Sequence, residues 1–126
     1  MKELNVENVK CENRFVVDFP ERFKISSYCI RSVDLPKFYG GEWESISIGF
    51  WDVVSNNSVT KGLNKIIKYN KPFTIKIKYL NGAGNILEFW EILVGKFNID
   101  FGNLDWESKE ILSPRIELKP VKCILK

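Results

Sequence analysis

The chain contains no histidine. That absence removes Ser-His-Asp and Cys-His nucleophilic catalysis, histidine-ligated zinc and the commonest general base near neutral pH. Cysteine is scarce as well: Cys11, Cys29 and Cys123 form an odd count with no C-x-x-C pair. They fit reduced thiols in a cytosolic setting better than a disulfide scaffold, and the residues alone leave one bridge open. Long apolar runs are missing too. The longest span about four residues, against the roughly 20 that a membrane-crossing helix needs. The opening residues MKELNVENVKCENR are polar and charged and do not read as a secretory leader. A soluble protein made inside the cell, with no membrane partner, is the expectation. Neither sign of charge dominates: 19 basic against 16 acidic residues give a formal charge of +3. The two signs are interleaved, which argues only weakly for a polyanionic partner.

What is present is enough apolar material for one core. At 126 residues, 44% hydrophobic and 13% aromatic, the chain reads as a single globular domain over 1–126, with residues 1–12 as an arm. RFVVDF (14–19) predicts a first strand that stops at Pro20. FKISSYCIRSVDL (23–35) alternates as one long strand, with Phe23, Ile25, Cys29, Val33 and Leu35 on one face and Tyr28 and Ile30 as apolar exceptions on the other. Pro36 ends it, and KFYGGE reads as a loop with a glycine pair. WESISIGFWDVV (43–54) alternates again, with Ile46, Ile48 and Phe50 opposite Trp43 and Trp51.

At NNSVTKGLNKIIKY the period changes. Asn57 or Ser58 is placed to cap a helix over about 58–69, whose stripe is Val59, Leu63, Ile66 and Ile67. FTIKIKYL (73–80) is a clean strand, NGAGN a hairpin turn, and ILEFWEILVGKF (86–97) a return strand apolar on both faces. ILSPRIELKPVKCIL (111–125) predicts a last strand, edge or bulged because it holds Pro114 and Pro120. The sum is mainly β: an antiparallel barrel or sandwich of six to seven strands with one flanking helix.

The candidate chemistry is thin. GNLDWESKEI (102–111) places Asp105, Glu107 and Glu110 around Trp106, yet it lacks the glycine and spacing of a calcium loop. It also supplies no second acid across a cleft for glycosidase-type work. Cys29 lies on an apolar face, which suits a core thiol, and Arg31 is its nearest cationic residue in sequence. NGAGN lacks the lysine of a phosphate-binding loop and joins two strands. No catalytic residue, metal site or cofactor is expected. One binding reading stays open: Phe73, Tyr79, Lys76 and Lys78 could form a single-stranded nucleic-acid platform on an OB-like barrel, with aromatics stacking on bases and lysines meeting phosphates. Strands 43–54 and 86–97 are apolar on both faces. That excess suggests a second buried face, against another copy or a different protein.

The order of these features resembles the tail-tube proteins of contractile-tailed bacteriophages, a fold shared with the Hcp tube protein of type VI secretion. The likeness runs from Phe15 to about Val121. It comprises RFVVDF, the C-I-R-S-V-D-L-P ending, the tryptophan-led WESISIGFWD, the helix, the hairpin, GNLDWESKEI and a final strand. The L-D-W-E-S-x-x-I piece and the Leu-Pro ending are its most specific parts. The resemblance implies a non-enzymatic subunit of a hexameric ring, with neighbouring strands joined around a lumen through which DNA passes. It implies partners of the same chain and of tail sheath or baseplate, and a place in the virion tail after synthesis in the host cytoplasm. A tube initiator, terminator or baseplate component of the same fold fits as well. Contacts between subunits or rings are then expected from residues 1–12, 36–42 and 98–110, and from Trp43, Trp51, Trp90, Asp105, Trp106, Glu107 and Glu110. Leu104 and Trp106 are expected to pack inward, leaving the acids to a neighbour.

Overall fold

The computed structural model describes residues 14–52 and 57–126. The 1–12 arm with Cys11, and the end of the expected 43–54 strand, lie outside the described residues. The elements in chain order are β1 (Phe15–Asp18), β2 (Ile30–Val33), β3 (Phe38–Tyr39), β4 (Glu42–Trp43), β5 (Ile46–Phe50), α1 (Ser58–Tyr69), β6 (Phe73–Leu80), β7 (Ile86–Asp100) and β8 (Arg115–Leu125).

Six strands form one antiparallel sheet in the order β1-β6-β7-β8-β5-β2, curled until it nearly closes as a barrel. β3 and β4 form a separate two-stranded hairpin. Alternation explains the inside. Phe73, Ile75, Ile77 and Tyr79 of β6, Ile92 and Val94 of β7, Ile46, Ile48 and Phe50 of β5, and Ile116 and Leu118 of β8 are all buried. Opposite them on β6, Thr74 and Lys76 are exposed. Burying this many branched and aromatic side chains, at roughly 1.5–3 kcal/mol each, is what holds the curled sheet together.

The helix matches its expected span, but two details differ. Ile67 is 44% exposed, and the buried stripe is Val59, Gly62, Leu63 and Ile66. A Cβ on Gly62 would stand 2.3 Å from Ile25 Cγ1 and 2.9 Å from the Phe23 carbonyl oxygen. The helix therefore sits on the 23–25 segment with a glycine at closest approach, and that contact rotates Ile67 outward. Phe23 completes the joint, its ring edge-on to Tyr69 at 5.5 Å and to Phe73 at 5.3 Å.

The expected strand over 23–35 is broken. Short 3-10 turns occupy Glu21–Phe23 and Ser27–Cys29, Lys24 takes a left-handed φ of 52°, and the Tyr28 N–H donates to the Ser26 hydroxyl. Serine side chains that bind their own backbone compete with a ladder, and here they win. Phe23, Ile25 and Cys29 are still buried, because turns and strand deliver them to the same side. Ile30, expected on the opposite face, is buried as well, and Leu35 is 50% exposed, both against expectation, whereas Tyr28 is 93% exposed on the outward face where it was expected.

The final strand starts at Arg115, after Pro114, and it is no edge: β8 runs between β7 and β5. Its proline is accommodated by a bulge, with the register slipping on both sides of the Val94–Pro120 pair. KFYGGE is a true hairpin. Gly40 and Gly41 have φ of 61° and 82°, the double positive φ of a two-residue turn that matches strand twist.

Candidate interaction surface

Between β7 and β8 a loop runs from Phe101, and every residue through Leu112 is exposed. Its base is pinned. The Gly102 N–H donates to Asp100 Oδ1, Leu112 lies over Gly102 where a Cβ would fall 2.5 Å from its Cδ1, and the Ser113 hydroxyl donates to the Phe50 carbonyl at 2.9 Å. Its tip is built around Asp105, whose carboxylate accepts the Glu107 N–H at 3.0 Å while its carbonyl accepts the Ser108 N–H. Aspartate at the first position of a turn favours this arrangement. The turn thrusts Trp106 outward. Leu104 is 91% exposed and Trp106 is as exposed as an isolated residue, so the expectation that both pack inward is overturned. The turn's own hydrogen bonds set its direction, and no part of the core lies within reach to cover the ring. Leu104, Trp106 and Ile111 thus share one projecting loop with Asp105, Glu107 and Glu110.

The other tryptophans are placed differently. Trp43 and Trp90 are brought together, edge to face at 6.3 Å, and Phe38 stacks edge-on against Trp43 at 5.0 Å. The Lys119 ammonium donates to the Trp43 carbonyl, and the Trp90 indole N–H donates to Glu88. This aromatic group fastens the β3–β4 hairpin to the barrel. It stands apart from the acidic loop: Trp90 pairs with Leu125 near one end of β7, and the loop leaves Asp100 at the other. Trp51 joins neither, for the Arg31 guanidinium lies 4.5 Å over its ring.

A third feature is the seam. β1 pairs with β6 and β2 with β5, and no ladder joins β1 to β2. Over the gap opens a cleft of about 600 Å³, with Phe15, Val33, Leu35 and Tyr79 as apolar walls and Arg31 and Lys37 at the rim. Arg31 and Lys37 form none of the ion pairs seen among the described residues. Asp34 also lines the cleft, but its carboxylate accepts the Ser47 N–H at 3.1 Å. Sequence reading missed this cleft because Leu35 was assigned to a buried strand face. The Leu-Pro ending of that segment was the available signal.

The nucleic-acid candidates do not share one face. Phe73 and Tyr79 are buried, whereas Lys76 is exposed and Lys78 partly so. Both lysines flank the outward Phe89 ring, at 5.9 and 6.0 Å, and Lys78 is tied to Asp18 at 2.8 Å. Among the described residues, no three acidic, cysteine or histidine side chains gather as a metal site. Cys29 and Cys123 are free thiols, and burial pushes the Cys123 thiol up to about 11.

Neither protein-family models nor curated protein sequences match the chain. Among solved structures it is similar to a chain in the cryo-EM structure of the anti-feeding prophage baseplate, six-fold symmetrised. The TM-score is 0.55 at 16% identity, over 100% of this chain and 97% of the other. At that identity the likeness shows a shared fold from end to end.

Proposed function

We propose that this chain is a non-enzymatic structural subunit of a contractile, phage-tail-like particle, acting by assembly in the tube or in the baseplate beneath it. The observation that carries the reading is the end-to-end fold likeness to a chain of a six-fold baseplate. The match covers nearly all of both chains. The surface supports the same reading. β1 and β2 each leave one edge without a partner strand among the described residues, and a β protein must cover such edges, while the 101–112 loop exposes large apolar side chains that an isolated monomer has no use for. Strand pairing and loop contacts between subunits would cover both. On this reading six copies close a ring, DNA passes through its lumen without sequence-specific binding, sheath or baseplate proteins are neighbours, and the chain resides in the virion tail.

The test is fractionation. Tail-like particles sedimented from a lysed producing culture should contain this chain in fixed stoichiometry with the other tail proteins, measured by quantitative mass spectrometry. Recovery of the chain only in the unsedimented fraction would overturn the reading.

A further inference from the structure

Two surface features are complementary in polarity and charge. The 101–112 loop offers Trp106 on a self-held turn beside Glu107 and Glu110, with no ion pair among the described residues for either acid. The seam cleft offers apolar walls around about 600 Å³ and two exposed cations in its lining, Arg31, which rests over Trp51, and Lys37, while the Asp34 carboxylate beside them is held by the Ser47 N–H. An indole needs an apolar slot of this kind, and each partner's charges find their opposites at the other's edge.

A chain cannot satisfy its own cleft. The loop joins β7 to β8, the two middle strands of the sheet order, and the seam lies between the two terminal strands. In a nearly closed barrel those positions are on opposite sides, so the loop points away from its own cleft.

We infer that Trp106 of one copy seats in the seam cleft of the next, between Leu35 and Tyr79, with Glu107 and Glu110 facing Arg31 and Lys37. The inference rests on the assembly reading above and names the contact that performs it. Because knob and hole are different surfaces, the contact is heterologous: each copy gives one loop and receives one, which generates a closed ring or an open stack. It also covers the unladdered gap between β1 and β2 without requiring a new strand.

The full chain tests this by charge exchange, read by mass photometry and sedimentation. All the residues altered are exposed, and R31E gives up only the contact with the Trp51 ring, so circular dichroism melting should stay cooperative and close to the wild type. W106A is expected to weaken self-association about thirtyfold or more, the scale for removing a buried interfacial tryptophan. R31E/K37E has an acidic hole and E107K/E110K a basic knob, so each alone should stay monomeric. Mixed, they should co-assemble in alternation at equal stoichiometry, and the quadruple variant should assemble again. Variants that assemble like the wild type overturn the loop-and-cleft contact while leaving the assembly reading intact, as do variants that lose assembly but fail to pair when mixed. A wild type that never self-associates contradicts both.

Discussion

The carboxylate of Asp52 accepts the backbone N–H of Thr60 at 3.1 Å and its hydroxyl at 2.7 Å, and its other oxygen accepts the Val59 N–H at 3.2 Å. The residue in the N-cap position, Asn57, has a left-handed φ of 53° and makes no side-chain cap. A carboxylate from outside the helix thus satisfies orphan donors of its first turn and sits favourably at the positive end of the helix dipole. D52A should lower stability by about 1–2 kcal/mol, and D52N, which keeps one acceptor, by less. Thermal melts of the two variants check the order; equal and negligible losses would show that the cap is idle.

Gly62 gives a prediction of opposite sign to helix propensity. Glycine to alanine within an exposed helix gains up to about 1 kcal/mol. Here the new methyl would overlap Ile25 Cγ1 at 2.3 Å and press on the Phe23 carbonyl oxygen at 2.9 Å. Overpacking of that kind costs about 1–3 kcal/mol, so G62A should be destabilised by urea titration despite its better helix former. A stabilised G62A would mean that helix and 23–25 segment are not in contact.

Cys123 tests burial through pH. Its thiol is raised from 9.0 to about 11 by desolvation, so the folded pKa lies above the unfolded one. The stability linked to the neutral thiol is complete below pH 9 and is lost as the pH rises towards 11. At pH 8 the folded thiolate fraction should be roughly a hundredfold below that of the unfolded chain. Iodoacetamide labelling read by peptide mapping should show the half-buried Cys123 slower than in the denatured chain; labelling at the denatured rate would contradict its desolvation.

Nucleic-acid binding through β6 is expected to fail. Phe73 and Tyr79 are turned into the core, and Lys78 is already paired with Asp18. Gel shifts with single-stranded DNA should show no complex at low salt. A complex that weakens steeply as salt rises would restore the platform reading, because phosphate-driven binding behaves that way.

Much of the fold was legible because the ladder segments alternate cleanly. FTIKIKYL is β6 with its faces as read, the helix spans Ser58–Tyr69, and Ile46, Ile48 and Phe50 point inward. Illegible features were those where local polar chemistry overrides alternation. Ser26 turns the chain where a strand was expected, and Gly40 and Gly41 make a hairpin of an apparent loop. Asp52 performs the capping expected of Asn57 or Ser58. Pro120 suggested an edge or a bulge, and only the sheet order distinguishes a central bulged strand from an edge. The acidic stretch was read correctly as a connector, but the direction of Trp106 depends on a turn held by Asp105, which periodicity does not report. The seam cleft requires two strands distant in sequence to meet, so no local pattern announces it.

The most direct measurement of the central claim, that this chain acts by assembling with copies of itself, is negative-stain electron microscopy of the purified full-length protein across a concentration series. The account predicts rings or stacks of uniform bore that grow more numerous with concentration. Monodisperse monomers at every concentration would contradict it.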